Sequence, residues 1–120
     1  MECLFQTENC FFNSVGISSV SIIPDLQMTA STELSGYPAY HGRLNDKRSD
    51  GWCAAESSRN NDWLQVDFGK TYVLCGIATQ GDVNGNDRVT DFKLSYSSEG
   101  SFWHWYTHTN GTEVVSCYFK

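Results

Sequence analysis

The sequence of 120 residues has little proline, few basic residues and no long apolar run. No apolar stretch reaches the roughly 18 residues that would make a candidate membrane-spanning helix. Apolar residues also do not recur at helical spacing over any sustained length, so the sequence does not predict a mainly helical fold. The opening residues 1–4, Met-Glu-Cys-Leu, lack the basic and apolar segments of a signal peptide. We expect that any signal for secretion lies outside this chain.

Positive charge is scarce, with eight Lys and Arg against fourteen Asp and Glu, a formal net charge of -6. That field repels DNA, RNA and anionic lipid at long range. The sequence therefore predicts no nucleic-acid partner. Screening at physiological salt limits the field to about 8 Å, so a local contact between one loop and a membrane surface stays open.

Contiguous catalytic motifs are also missing. The chain has no Gly-x-Ser-x-Gly elbow, no phosphate-binding glycine loop and no His-Glu-x-x-His. Its acidic residues are scattered and stand mostly at turns, whereas catalysis needs a nucleophile and base, paired carboxylates or a metal within reach of one another. We predict that the protein is not an enzyme. A catalytic or accessory domain of a carbohydrate-active enzyme, with noncontiguous site residues, is the alternative.

What the sequence does contain is alternation of apolar and polar residues. Leu64, Val66 and Phe68 alternate with Gln65 and Asp67 before a Gly-Lys turn, which is typical of a half-buried strand. Residues 92–96 alternate in the same way and end at a Ser-Ser-Glu-Gly turn. We predict an all-β domain without helices longer than about two turns. Its antiparallel strands should cover residues 62–68, 73–79, 89–96 and 102–106. The alternating apolar side chains of the first three of these strands should be committed to the core.

The same segments carry a family resemblance. The sequences WLQVDFG (63–69), GIATQG (76–81), VTDFKLSYS (89–97) and GSFW (100–103) resemble, in order and spacing, the discoidin domain, also called the coagulation factor V/VIII C-type (F5/8 type C) domain. Residues 23–31, 39–45 and 51–52 extend the resemblance, which covers about residues 10–115.

The resemblance implies one domain over residues 1–120, an antiparallel jelly-roll β-barrel or sandwich of the galactose-binding-like kind. Family members usually continue through a turn and two more strands beyond this point. The resemblance therefore implies that those C-terminal strands are missing here. Unpaired strand edges would then invite association into a homo-oligomer.

By the same resemblance, ligands bind loops at one end of the barrel, here loop 1 (residues 32–40), loop 2 (45–50) and loop 3 (82–88). The predicted ligand contacts are apolar, aromatic or hydrogen-bonding side chains of these loops: Leu34, Tyr37, Tyr40, Arg48, Asn84, Asp87 and Arg88. Other interpretations stay open. An equal alternative is that Tyr37 and Tyr40 cover the barrel end. Trp52 is expected in the core, and Arg43 and Arg48 are expected to pair with Asp46 or Asp50 on a solvated face.

Loop 3 also resembles the start of a calcium loop, with Asp82, Asn84 and Asn86 at the first three ligand positions. Asp87 then stands where the calcium loop needs Gly, and Lys93 stands where it needs a bidentate Glu. Turn-forming residues explain this composition more simply. We predict no cofactor, with calcium as the open alternative.

Five cysteines and the glycosylation sequon at Asn110 favour an oxidising, secreted setting. The family resemblance makes Cys10 one partner of a disulfide that closes the domain, with Cys117 as its candidate partner. Cys53 and Cys75 flank the 62–68 strand. They form either a disulfide worth about 2–4 kcal/mol or, as we prefer, two free thiols.

Together these observations predict an extracellular, non-catalytic binding module for cell adhesion or recognition. Glycans or proteins of the cell surface or matrix are the expected ligands. Anionic phospholipid of a membrane surface is the alternative, which the net charge of -6 and the lack of Trp or Phe in loop 1 disfavour.

Overall fold

The computed structural model of the chain describes residues 2–5, 14–48, 50–55, 61–82 and 84–107, the first of these ranges through its backbone. These residues form short strands and two short 3-10 helices. The strands are β1 (Glu2–Phe5), β2 (Met28–Ala30), β3 (Leu64–Val66), β4 (Leu74–Ala78), β5 (Ser95–Tyr96) and β6 (His104–Trp105), and the 3-10 helices are Asp25–Gln27 and Ala39–Gly42.

The strands of the described part pair antiparallel, two by two. β1 pairs with β4, β2 with β3 and β5 with β6. Met28 lies opposite Val66 in the second pair, and Ser95 lies opposite Trp105 in the third. The structure is therefore rich in strands, and no described helix exceeds two turns, as the alternation predicted.

The pairing of β2 with β3 continues beyond the ends of the strands. The amide of Ser31 donates to the carbonyl of Trp63 at 3.0 Å, and the amide of Asp67 donates to the carbonyl of Gln27 at 2.8 Å. This ladder leads directly out of the first 3-10 helix into β2. It fixes the Asp25–Gln27 helix relative to the centre of the fold.

The core lies against this sheet. Its buried members are Val15, Ile17, Ile23, Met28 and Ala39. Leu64, Val66 and Phe68 pack against them, which confirms the predicted inward face of the 62–68 strand. Each fully buried side chain of this size contributes about 1.5–3 kcal/mol, so the core holds β2, β3 and both 3-10 helices together.

Two strand predictions need correction. Within 89–96 only Ser95–Tyr96 forms a regular strand, and within 102–106 only His104–Trp105 does. Val73 is 64% exposed and Val89 57% exposed, so the prediction that residues 73–79 and 89–96 commit their apolar side chains to the core is wrong for these two. Val73 lies just before β4, which begins at Leu74. For residues 89–96 the physical reason is that β5 and β6 form a two-stranded ribbon, with which no further described strand pairs.

Several predicted covalent features fall outside what the structure describes. Cys10, Cys117 and Asn110 lie outside the described residues, as does the side chain of Cys75. Cys53 carries a free thiol. Among the residues that are described, no helix has the length and apolar character required to cross a bilayer.

Candidate functional site

Loop 1 contains a tight turn at residues 34–37. The amide of Tyr37 donates to the carbonyl of Leu34 at 2.9 Å, and Gly36 has a φ of +90° at the third position, where a type II turn favours glycine. The backbone of Cys53 holds both sides of the turn, because its carbonyl accepts from Leu34 and its amide donates to Tyr37. The turn presents the side chain of Leu34, which is 43% exposed.

The base of loop 1 is tied down by polar contacts. The hydroxyl groups of Ser31 and Thr32 donate to one carboxylate oxygen of Asp62 at 2.7 and 2.8 Å. The indole of Trp52 packs against the core and donates to the carbonyl of Thr32 at 3.0 Å. The expectation that Trp52 belongs to the core is confirmed. The amide of Ala39 donates to the carboxylate of Glu33 at 2.7 Å, which closes the loop.

Arg43 differs from the prediction of a solvated face. It is only 3% exposed, and its guanidinium donates to the carbonyl of Ile17 and, at 2.8 Å, to Asp25. The predicted pairing of Arg43 with Asp46 or Asp50 is therefore wrong. A buried cation needs a carboxylate and a carbonyl close by, and the first 3-10 helix delivers Asp25 to it.

Arg48, in loop 2, is held by two carboxylates. Its Nε and Nη2 atoms donate to Asp46 at 3.0 and 2.8 Å, and its Nη1 and Nη2 atoms donate to Asp25 at 2.9 and 3.3 Å. The predicted pair with Asp46 is confirmed, and Asp25 is an additional partner. Both contacts are two-pronged, which is the strong geometry for an arginine with a carboxylate.

These contacts move the pKa values of the groups involved. Hydrogen bonds from Arg48, and then from Arg43, lower the pKa of Asp25. Partial burial alone would raise the pKa of Asp46, but the hydrogen bonds from Arg48 outweigh it and the pKa is lowered. Asp46 and Asp25 together raise the pKa of Arg48. All three groups are therefore charged throughout the physiological range of pH.

Tyr40 joins loop 1 to loop 2. Its ring packs against the core, and the guanidinium carbon of Arg48 lies 5.3 Å from the ring centroid. The ring of His41 lies 4.7 Å away on centroids, and its Nδ1 is 3.5 Å from the carboxylate of Asp46. Tyr40 therefore covers the end of the core and also supports a charged residue of the next loop.

Loop 3 is closed on itself and fastened to loop 2. The amide of Asp82 donates to the carbonyl of Asp87 at 2.9 Å, and the carboxylate of Asp82 accepts from the amide of Asn84 at 2.7 Å. The side-chain amide of Asn84 donates to Asp50 of loop 2. The carboxylate of Asp82 folds close over Gly85, where a larger residue would collide with it.

The calcium alternative gains no support from this geometry. The carboxylate of Asp82 accepts a hydrogen bond within loop 3, and the side-chain amide of Asn84 donates one to loop 2. Asn86 is exposed. Across residues 14–48, 50–55, 61–82 and 84–107, no three His, Cys, Asp or Glu side chains are grouped to hold a metal ion.

Cys53 lies where the three loops meet. Its backbone supports the turn of loop 1, and burial raises the pKa of its thiol. The carboxylates of Asp87, Asp82 and Asp50 raise this pKa further, so loops 2 and 3 bring negative charge close to the same residue. A second link joins loop 2 to the base of loop 3, since the amide of Asn45 donates to Gln80 at 2.7 Å.

The structure thus brings the three loops into contact with one another, although residues 49 and 83 are not described, and we call the surface that they share the loop end. Tyr40 and Arg48 are in contact, Leu34 and Tyr37 share the turn, and Asp87 and Arg88 are exposed on loop 3. Sequence analysis missed Asp25 as a member of this end. Its position directly after Pro24 marks the start of a rigid 3-10 helix, but a partner 23 residues away in Arg48 leaves no local signal.

Comparison with known proteins agrees with the resemblance. The family model of the F5/8 type C domain matches residues 27–118. The chain is 37% identical over 87 residues to neuropilin-1 of Gallus gallus, an alignment that covers 68% of this chain and 9% of that protein. It is 32% identical over 101 residues to lactadherin of Mus musculus, covering 77% of this chain and 22% of that protein.

The lactadherin of Sus scrofa is 33% identical over 101 residues, covering 76% of this chain and 24% of that protein. The chain therefore spans less than a quarter of the length of these curated relatives. No solved structure matches it. With the family model extending over most of the chain and the loops arranged at one end of a strand-rich fold, the protein belongs to the F5/8 type C, or discoidin, domain family.

Proposed function

We propose that this domain is an extracellular, non-catalytic binding module that takes a glycan or protein ligand on the end formed by loops 1, 2 and 3. The observation that carries the proposal is the convergence of these loops. Tyr40 contacts Arg48, and Asn84 contacts Asp50. Loops held together by a rigid body are the usual place for binding residues.

The chemistry of this end favours a polar ligand. The loops carry more carboxylates than cations, and the charge of Arg48 is balanced by Asp25 and Asp46. An anionic phospholipid head group would meet this negative field at close range, below the screening length of about 8 Å. The hydroxyl groups of a glycan, or a neutral or cationic segment of a protein, would find hydrogen-bond acceptors and the side chains of Tyr37 and Arg88.

Two carboxylates of this end, those of Asp25 and Asp46, are poor catalytic bases, which supports a non-catalytic role. Arginine hydrogen bonds hold Asp25 and Asp46 at lowered pKa, whereas a general base near neutral pH needs a raised one. Membership of the F5/8 type C family, in which neuropilin-1 and lactadherin are relatives, supports a recognition module rather than a catalyst.

The proposal is tested by screening the domain on a printed array of cell-surface glycans and matrix proteins. We expect that Tyr37→Ala or Arg88→Ala weakens binding to the spots that the wild type retains by about 1–3 kcal/mol, the scale of a stacking or polar contact, with little change in Tm. Tyr96→Ala and Lys70→Ala serve as matched controls, because they remove an exposed tyrosine and an exposed cation outside the three loops.

Two results would overturn the proposal. One is a wild-type domain that retains no glycan or protein on the array. The other is equal loss of binding in the loop variants and in the matched controls, which would place the binding surface elsewhere.

A further inference from the structure

Four side chains near the start of loop 2 form a connected unit that we name the Arg48 clasp, made of Asp25, Arg48, Asp46 and the ring of Tyr40. All three guanidinium nitrogens of Arg48 donate to the two carboxylates. Its guanidinium carbon lies over the ring of Tyr40, 5.3 Å from the centroid. The clasp joins the first 3-10 helix, loop 1 and loop 2, which are separate in the sequence.

The clasp is anchored in the core on one side. Asp25 also accepts from Arg43, and the buried guanidinium of Arg43 donates to the carbonyl of Ile17, which is fully buried. The Asp25–Gln27 helix is held in turn by the ladder between β2 and β3. Arg48 is therefore connected to the centre of the domain through the carboxylate of Asp25, in addition to its contact with the core-packed ring of Tyr40.

The clasp is connected to loop 3 on the other side. Loop 2 contacts loop 3 through Asp50 with Asn84, and it contacts the base of loop 3 through Asn45 with Gln80. A displacement of Arg48 would release loop 2 from the helix that carries Asp25, and loop 3 would lose a fixed neighbour. The position of loop 2 relative to the first 3-10 helix thus depends on this side chain.

We propose that Arg48 is a positioning residue: the clasp fixes Tyr40 and loop 2 for ligand binding, and the guanidinium itself does not contact the ligand. The binding half of this inference rests on the proposed function. Its physical basis is that a guanidinium whose nitrogens all donate to carboxylates in two-pronged geometry has little left to offer a ligand. Removing those bonds frees backbone and side-chain conformations that binding must order again.

The positioning half is tested without any ligand, by amide hydrogen exchange on the full chain. In Arg48→Met and in Asp46→Asn we expect about tenfold faster exchange in peptides that cover residues 39–48, because local opening becomes easier. Peptides that cover β2 and β3 should exchange as in the wild type. Lys47→Met is the matched control, since it removes a neighbouring exposed cation by the same replacement and should change exchange less than about twofold.

Arg48→Lys distinguishes the loss of the two-pronged hydrogen bonds from the loss of positive charge. Lysine keeps the positive charge but lacks the planar fork, so we expect exchange in residues 39–48 close to that of Arg48→Met. If Lys47→Met accelerates exchange as much as Arg48→Met does, or if Arg48→Met leaves exchange unchanged, the clasp does not position the loops and the inference is wrong.

The binding half is tested on the array of glycans and matrix proteins with the same variants. A positioning role predicts that Asp46→Asn and Arg48→Met each reduce retention about five- to tenfold, and that the double variant is no worse than Arg48→Met. A direct contact predicts the opposite for Asp46→Asn, because the released guanidinium would become available to the ligand. Retention that is preserved or increased in Asp46→Asn while Arg48→Met loses it would overturn the inference.

The two experiments separate the inference from the proposed function. If the wild type retains nothing on the array, the proposed function is overturned while the exchange comparison still decides whether the clasp holds the loops. If the wild type binds and the exchange pattern is absent, the clasp is overturned while the proposed function stands.

Discussion

Individual side chains at the loop end have structural roles that residue type alone does not reveal. Arg43 and Arg48 stand five positions apart and read alike in the sequence. Arg43 is buried with Asp25 and a core carbonyl, whereas Arg48 lies partly exposed over Tyr40. Their difference follows from what the first 3-10 helix brings near them, which is a tertiary property.

Cys53 provides a test at the scale of one residue. Burial, followed by the carboxylates of Asp87, Asp82 and Asp50, raises its pKa, so the reactive thiolate is scarcer than for an ordinary cysteine at neutral pH. We expect slow alkylation of Cys53 by iodoacetamide at pH 7.5, quantified on its own peptide by mass spectrometry. Asp87→Asn should speed the reaction, because the carboxylate of Asp87 raises the pKa of the Cys53 thiol more than those of Asp82 and Asp50 do.

The control for Cys53 is Glu99→Gln, which removes a charge from the turn between β5 and β6. Glu99→Gln should leave the rate unchanged. Alkylation of Cys53 as fast as that of a cysteine in a short unstructured peptide would contradict the environment seen around its thiol.

Short elements account for much of what the sequence could and could not predict. The alternation at Leu64, Val66 and Phe68 was enough to predict β3 and its inward face, because period two and burial are properties of the segment itself. The same alternation at residues 92–96 predicted a longer strand than Ser95–Tyr96. Alternation records which faces differ in polarity, but the extent of pairing depends on a neighbouring strand that the segment does not encode.

The candidate site was predictable to a similar degree. The turn chemistry of Gly36 and of residues 82–87 marked loops 1 and 3, and family resemblance placed the loops together. The contribution of Asp25 could not be predicted, since its bonds to Arg43 and Arg48 bridge 18 and 23 residues. Ion pairs of this kind follow from how the 3-10 helices pack, which local patterns do not determine.

The ion pairs between these elements predict an acid response. Arg48 and Arg43 lower the pKa of Asp25, and Arg48 lowers that of Asp46, so folding favours the deprotonated carboxylates. Their contribution to stability is complete above the unfolded pKa near 4 and is lost as the pH falls through the lower folded values. We expect the Tm difference between wild type and Arg48→Met to be constant from pH 7 to about 5 and to shrink below about 4.

Thermal unfolding followed by circular dichroism at a series of pH values measures this difference. Lys47→Met should track the wild type at every pH. A gap between wild type and Arg48→Met that persists undiminished to pH 3 would show that these carboxylates do not supply it.

On the scale of the whole molecule, the ribbon of β5 and β6 predicts association. Phe102 is 73% exposed and Trp105 62% exposed, and Tyr96 and Trp103 are also exposed nearby. Together such aromatic side chains expose roughly a few hundred Å² of apolar surface to water, the size at which exposed patches promote association. We expect concentration-dependent self-association in sedimentation velocity, reduced by Trp105→Ser.

The matched substitution for Trp105→Ser is Trp63→Ser, which removes an exposed tryptophan beside β3. It should leave the association unchanged. A wild-type chain that sediments as a monomer at all micromolar concentrations, with an ordinary Tm, would contradict the prediction.

The charge of the whole chain leads to a prediction about membranes. With a net charge of -6 and a loop end rich in carboxylates, vesicles of phosphatidylserine and phosphatidylcholine should bind the domain no better than phosphatidylcholine alone. Co-sedimentation at low and physiological salt measures this. Tight, salt-resistant binding to the phosphatidylserine vesicles would contradict this prediction. It would show that apolar contacts of the exposed Leu34 and its neighbours with the membrane outweigh the electrostatic repulsion.

The turn at residues 34–37 has a consequence for engineering. Its shape is maintained by main-chain bonds and by the positive φ of Gly36, which tolerate any side chain at positions 34, 35 and 37 except proline at 34 or 37, where the amide hydrogen is needed. Those three positions can therefore be randomised in a display library with Gly36 held constant. New specificities selected from such a library would be carried on an unchanged backbone, much as antibody loops diversify on a constant framework.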